Sequence, residues 1–177
     1  MKIILASKSG VRKQILDKYN IPCKVIVSNV DEEEIKKSLL AENVSPLNIS
    51  KNLAEIKSIK VSSKNVDQLV LGADSVISLD DKLINKPKSR EEAFNILKSL
   101  NNSIHFLISS ACISLNGSMI WNYTDSSELK MKNFKDDELT EYLNKIKTDT
   151  LLAYGVYQIE ASGRDLFEYI KGDNDSI

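Results

Sequence analysis

Residues 1–19 read as a strand, a tight turn and a helix in immediate succession, an order that belongs to folds alternating strands with helices. Met1 to Ala6 is an apolar run broken by a single lysine, the pattern of a buried strand. Ser7 to Gly10 can only turn. From Val11 onward, Val11, Ile15, Leu16 and Tyr19 recur at helical spacing. Such a unit leaves backbone N–H groups of the first helical turn aimed at one point. Ser7 and Ser9 add hydroxyl donors there, and Arg12 adds a permanent charge. That is chemistry for phosphate. The same residues also describe an ordinary serine-capped helix with a surface arginine.

Alternation continues along the chain. Cys23 to Val27 reads as a strand, and Val30-Asp31-Glu32-Glu33-Glu34 opens an acidic segment. Ser45-Pro46 starts a helix, serine as cap and proline in the first turn, with Leu47, Leu53, Ala54, Ile56 and Ile59 marking its face. Gln68 to Gly72 is a compact apolar strand, and Val76 to Leu79 runs extended to a turn at Asp80-Asp81. Ser89 caps a helix with Ala93, Phe94, Leu97 and Leu100 inward. A strand over 104–115 meets Asn116-Gly117, a strong hairpin signal, and returns over 118–123. Asp136 to Ile146 reads as a helix and Tyr154 to Glu160 as a further strand. The fold class expected is α/β on a mixed sheet, as a single domain over residues 1–177.

Composition narrows the partners. Lys+Arg 24 against Asp+Glu 25 leaves a net charge of -1, so no global field favours nucleic acid or an anionic membrane. Any phosphate site must be a local cluster. Cys23 and Cys112 lack metal-site spacing and are expected as small buried thiols. No stretch approaches a membrane span or a secretion signal, so a cytoplasmic protein is expected. Asn116-Gly117-Ser118 and Asn122-Tyr123-Thr124 match the glycosylation pattern but carry no weight without such a signal.

Four further positions could carry chemistry. In Leu71-Gly72-Ala73-Asp74-Ser75, a carboxylate ends a hydrophobic run, where burial is costly without a partner or a metal. Ligands of open α/β sheets gather beyond strand ends, so Asp74 is a catalytic candidate; a turn-capping aspartate is the plain alternative. Asp31 or Glu32 could join Asp74 around a hard divalent cation, which takes carboxylate oxygens and leaves room for phosphates. An acidic run at a helix start is equally ordinary. Lys57, one turn beyond Leu53-Ala54, and Lys86, in the constrained Ile84-Asn85-Lys86-Pro87, stand apart from the surface lysines. His105, the one histidine, lies in an apolar strand with no Gly-x-Ser-x-Gly elbow in the chain, and is expected to be structural.

Taken together and in order, these segments resemble the Maf family, the septum-formation-associated nucleoside triphosphate pyrophosphatases. The family opening Leu-Ala-Ser-x-Ser-Pro-x-Arg is matched by Leu5 to Arg12, and its Val-Asp-Glu by Val30-Asp31-Glu32. Leu-Ala-x-x-Lys-Ala is matched by Leu53 to Ser58, Gly-Ala-Asp-Thr by Gly72-Ala73-Asp74-Ser75, and Gly-Lys-Pro by Asn85-Lys86-Pro87. Glu92-Ala93, Leu97, Leu100 and His105 follow, and Tyr154 to Glu160 is similar to the late Gly-x-Tyr-x-Ile-Gln segment. Gly10 replaces the usual proline, Val11 the usual arginine or tyrosine, and Ser75 the usual threonine or glutamine.

The resemblance implies a Maf/ITPase-like α/β fold, a twisted mixed sheet flanked by helices with a cleft between two lobes, and a homodimer. It implies hydrolysis of a nucleoside triphosphate to the monophosphate and pyrophosphate. Magnesium or manganese would be held by Glu32 and Asp74, with Asp74 as the base for water. Ser7, Ser9, Arg12, Lys57 and Lys86 would hold the triphosphate. Val11, Ser75 and Glu160 would set base preference. Glu160 and Arg164-Asp165-Leu166-Phe167-Glu168 lean toward the branch acting on 7-methyl-GTP rather than that acting on dTTP and UTP. Members continue past the position of Gly172-Asp173 into a Gly-Leu-Pro-Leu segment and a last helix, so that segment is expected to be missing. Two rivals remain on the residues: a nucleotide-binding regulator without turnover, and a phosphatase of small metabolites releasing orthophosphate.

Overall fold

The computed structural model describes residues 3–159, 162–173, 175 and 176. Its elements are β1 (Ile3–Leu5), α1 (Gly10–Lys18), β2 (Cys23–Val25), α2 (Glu32–Ala41), α3 (Pro46–Ser62), β3 (Val70–Leu79), β4 (Lys82–Ile84), α4 (Arg90–Leu100), β5 (Ile104–Leu115), β6 (Ser118–Met131), α5 (Asp136–Asn144), α6 (Thr148–Tyr154), a 3-10 turn (Ser162–Leu166) and β7 (Phe167–Lys171). The sheet runs β2-β1-β3-β5-β6-β7, with β4 paired to β3. β1 is parallel to β2 and to β3, whereas β3/β4 and β6/β7 are antiparallel. The mixed α/β sheet expected from the alternation is the architecture found.

The chain forms two compact units. One holds the described residues through Ser75 together with Ile108–Asp125, the other Val76–Leu107 with the described residues from Ser126 onward. In the first, Ile4, Ala6, Val61 and Val70 form a buried cluster with Ile26 against it. In the second, Ala93, Leu97 and Leu100 of α4 meet Leu129, Met131, Leu139, Leu143, Leu151 and Phe167.

Helix starts follow local hydrogen bonding. Ser9, Asp31, Ser45 and Ser89 cap α1, α2, α3 and α4, each side chain accepting from a backbone N–H three residues on. Both hairpin turns place their central residues at positive φ, Asp80 and Asp81 at 49° and 58°, Asn116 and Gly117 at 50° and 78°, the twist that suits a two-residue loop.

Several expectations are corrected. Leu47 is exposed; the buried face of α3 runs instead through Ile49, Ser50, Leu53, Ala54, Lys57, Ser58 and Val61. Cys112 is buried, but Cys23 is only half-buried. The return strand β6 continues to Met131, because Ser127, Leu129 and Met131 alternate inward. Among the described residues of 154–159 there is no strand. Tyr154 ends α6, Gly155 reverses the chain at φ 98°, and Val156 and Tyr157 are buried in the core without a ladder partner. An apolar run signals burial, and here the backbone burying it is irregular.

His105 is structural, as expected. It is fully buried, its Nε2 lies 3.0 Å from Tyr157 Oη, and its ring packs on Phe167. Burial pushes its pKa down to about 4. The unfolded chain binds a proton near pH 6.5, and the folded chain resists until about pH 4, so stability falls as pH drops through that window. The loss attributable to His105 is expected to reach on the order of 2 kcal/mol by pH 4.5. Denaturant melts at pH 7 and 4.5 on wild type and His105→Gln check this; an equal pH loss in both would overturn it.

Candidate functional site

The parallel pairing of β1 with β3 ends at Leu5 and Leu71, after which Ala6 N–H donates to Leu71 O. Beyond that point β1 gives way to the Ser7–Ser9 turn, while β3 runs on through Ala73, Asp74 and Ser75. This is where the order β2-β1-β3 reverses direction, the usual ligand position of an open parallel sheet. Asp74 is thus mid-strand in β3 rather than at its end, as the sequence suggested. It nevertheless lies past the end of its neighbour.

The turn after β1 is organised for an anion. Ser7 Oγ accepts from Ser9 N–H at 3.1 Å and from Arg12 Nη1 at 3.2 Å, which uses both lone pairs and leaves only its proton to give. Ser9 Oγ lies 3.5 Å from Arg12 N–H as the helix cap. Arg12 Nη1 also donates to Ala73 O at 2.7 Å, and Nη2 to Ser75 Oγ at 3.4 Å. Among the described residues, these bonds occupy both Nη1 protons and one on Nη2. Nε–H and one Nη2–H remain among the described residues, donors that an arginine can offer to a phosphate. Burial lowers the Arg12 pKa, and the carboxylates of Asp74 and Glu32 oppose that shift.

On the other side of the same segment lies Lys57, buried on α3. Its Nζ is 2.5 Å from Asp74 Oδ1 and 2.9 Å from Glu32 Oε1. Asp74 is 5% exposed, and its second oxygen, Oδ2, is buried without a hydrogen-bond partner among the described residues. A buried acceptor left without a partner is costly, and Oδ2 is the atom of this cluster that retains the capacity to accept a proton or hold a cation. Gly72 makes the arrangement sterically feasible: a Cβ there would meet Ala54 O at 2.3 Å and Ser58 N at 2.7 Å, so only glycine lets α3 lie this close to β3.

The two acidic candidates separate. Asp31 Oδ1 accepts from Glu34 N–H at 3.1 Å and is a helix cap, whereas Glu32 reaches Lys57. A divalent cation fits this donor set. Asp74 and Glu32 meet at the Lys57 ammonium, Asp74 keeping an unused oxygen, and among the described residues no group of three His, Cys, Asp or Glu side chains is placed to hold a metal ion by itself. That suits a hard cation that retains waters and takes phosphate oxygens.

The first unit therefore gathers Ser7, Ser9, Arg12, Glu32, Lys57, Asp74 and Ser75, with Val11 half-buried in the first turn of α1. Lys86 belongs to the second unit, where its Nζ donates to Ala153 O at 2.8 Å. Glu160 lies outside the described residues. Sequence reasoning missed Ser50, fully buried, whose Oγ lies 3.1 Å from Asp74 O and 3.3 Å from Ile108 O. Its place one helical face from Lys57, two turns earlier, was the available signal.

Comparison with known proteins gives the family. A family model described as Maf-like protein matches residues 2–177. A nucleoside triphosphate pyrophosphatase of Pelagibacter ubique (strain HTCC1062) is 59% identical over 99% of this chain and 90% of its own length. One of Ruegeria pomeroyi is 37% identical over 99% and 88%, and a 7-methyl-GTP pyrophosphatase of Brucella abortus biovar 1 is 30% identical over 98% and 87%. The Staphylococcus aureus Ham1 protein aligns with a TM-score of 0.42 at 13% identity over 74% of this chain and 72% of that one, too loose a likeness to bear on function. With a family match running from residue 2 to the last residue, this chain belongs to the Maf-like protein family.

Proposed function

We propose that this protein is a nucleoside triphosphate pyrophosphatase that hydrolyses its substrate to a nucleoside monophosphate and pyrophosphate. The observation that carries the reading is the buried Lys57–Asp74 pair with Glu32 at its more exposed side and one open carboxylate oxygen, beside an arginine that keeps donors to offer to phosphate. A pure phosphate binder gains nothing from two carboxylates there. Two cations against two carboxylates leave the cluster without the charge to offset a triphosphate, which calls for a further cation. Glu32 and Asp74 would hold magnesium or manganese, which when bound neutralises phosphate oxygens and acidifies water.

The protein's own residues do the rest. Arg12, with the Ser7 and Ser9 hydroxyls and the first turn of α1, holds phosphate oxygens. Asp74 Oδ2 takes the proton of the attacking water as the new P–O bond forms, and the bond to the bridging oxygen breaks, with its electron pair leaving on pyrophosphate. Arg12 and Lys57 offset the charge developing on the phosphates.

Incubation with nucleotides and magnesium, followed by identification of the released species, tests the reading. Pyrophosphate is the expected product. Orthophosphate alone would point to a phosphatase of small metabolites, and binding without release to a regulator. Lys57 also bears on the cation: in the ligand-free protein its ammonium pairs with both carboxylates and offsets one of their two charges. Lys57→Met is therefore expected to tighten binding of Mn2+ alone by about tenfold or more, as loss of one competing charge implies, while turnover falls. Calorimetric titration with Mn2+ checks it, and weaker Mn2+ binding in the variant would remove Glu32 and Asp74 as the cation's ligands.

The substrate favoured is a guanine-type triphosphate such as 7-methyl-GTP. A carboxylate only accepts hydrogen bonds, which suits the two adjacent donors at N1 and N2 of guanine. The uracil and thymine edge, one donor between two carbonyls, suits an amide instead. Glu160→Gln is expected to shift kcat/KM toward UTP or dTTP by about 5- to 150-fold, the effect of a carboxylate left facing a carbonyl. A wild type that prefers UTP or dTTP would overturn the base assignment and leave the reaction class untouched. No described helix is long and apolar enough to cross a membrane. A homodimer and a cytoplasmic location belong to the same reading, checked by light scattering and cell fractionation.

A further inference from the structure

We propose that Ser109, on β5, is a positioning residue for Arg12, acting through Ser75 to aim the unspent edge of the guanidinium at substrate phosphate. The inference rests on Arg12 being a phosphate ligand. Arg12 can only donate, so Ser75 Oγ, 3.4 Å from Nη2, is the acceptor of that contact. Ser75 Oγ is in turn 2.9 Å from Ser109 Oγ. Nη1 is held firmly by Ala73 O at 2.7 Å and by Ser7 Oγ. Among the described residues, Nη2 is held only by the longer bond to an exposed serine. A serine hydroxyl has three staggered positions, and without a second contact nothing selects the one that faces Arg12. Ser109 supplies that contact.

The plain alternative is that Ser75 and Ser109 are a cross-strand hydroxyl pair of the kind that merely stabilises sheets. The neighbouring residue provides the control. Ser110 points to the opposite face of β5, is buried, and pairs with Thr124 Oγ1 at 2.9 Å, with no bond leading to Arg12. Ser109→Ala and Ser110→Ala each delete one hydroxyl bond of the same length from the same strand. Only the first is connected to the phosphate grip.

The test is calorimetric titration with inorganic tripolyphosphate, and steady-state kinetics with the preferred nucleotide, on wild type, Arg12→Ala, Ser109→Ala, Ser109→Thr, Ser109→Cys and Ser110→Ala. Ser109→Ala is expected to weaken tripolyphosphate binding about three- to tenfold, the worth of one neutral hydrogen bond, and to raise KM more than it lowers kcat. Threonine, which keeps the hydroxyl, should restore binding, and cysteine, a weak donor of similar size, should not. Ser110→Ala should lower the melting temperature without changing affinity. Equal affinities in Ser109→Ala and Ser110→Ala, or a cysteine variant as good as wild type, would overturn the proposal and leave Arg12 in place. Unchanged binding in Arg12→Ala would overturn the phosphate role of Arg12 and the Ser109 proposal with it. If the alanine variant fails to fold, the threonine and cysteine pair decides alone, since both keep the site filled.

Discussion

Asp74→Asn is expected to lower kcat by about 10²-fold or more, the usual scale for loss of a positioned base, in a protein that still folds. The substitution is nearly isosteric and keeps an oxygen to accept from Lys57 Nζ, now 2.5 Å away on Asp74 Oδ1. Glu32 remains as the charged partner at 2.9 Å, so the buried ammonium is not stranded. What disappears is the second oxygen, Oδ2, which has no partner among the described residues and is the one free to take a proton or a cation. An amide NH2 in its place can do neither. Steady-state kinetics, with circular dichroism to verify folding, decide the matter. Activity within a few-fold of wild type in the folded variant would remove Asp74 from the chemistry.

Gly72→Ala is the second large effect, and it acts on placement. A Cβ at residue 72 would lie 2.3 Å from Ala54 O, 2.7 Å from Ser58 N and 2.9 Å from Ser58 Cβ. Two of those atoms are helix backbone, which cannot rotate aside, so α3 itself must move off β3. The cost is expected at about 3 kcal/mol, the upper end for overpacking, or a fall of roughly 6–12 °C in melting temperature for a chain of this size. Lys57 lies between Ala54 and Ser58 on the helix being displaced, and its bond to Asp74 is the shortest in the cluster. Activity should therefore fall in the fraction that stays folded, at temperatures well below the transition. Full specific activity alongside a lowered melting temperature would show that Gly72 serves packing only.

These two residues illustrate what could be read without coordinates. Asp74 stood out because a carboxylate after four apolar residues needs a reason, and its chemical type supplied the hypothesis. Gly72 was quoted within the same motif with no role of its own, because the reason for a glycine is the distance to atoms fifteen or so positions away in sequence. Leu47 failed in the opposite sense. Its spacing from Leu53 and Ala54 was plausible, but the buried face of α3 is partly polar, with Ser50, Lys57 and Ser58 at 0%, 5% and 0% exposure. Hydrophobic periodicity cannot see a face whose buried members are serines and a lysine satisfied by other strands. Residues 154–159 have the apolar content of a strand and form none for a related reason: Val156 and Tyr157 are buried, but burial does not require a ladder.

Local chemistry alone determined the helix starts at Ser9, Ser45 and Ser89, the hairpin at Asn116-Gly117 and the alternation of strands and helices, since caps, turns and periodicity are settled within a few residues. It also nominated Arg12, Glu32 and Asp74 by residue type, and the family resemblance added Lys57. Only the tertiary structure decided that these four share one site and that Asp31, next to Glu32, is a cap. The parallel register of β1 with β3 sets Ser7 to Arg12 beside Ala73 to Ser75, more than sixty positions along the chain. The close approach at Gly72 sets the Lys57 ammonium between two carboxylates. A charge finds its partner through packing, and packing is a property of the whole chain.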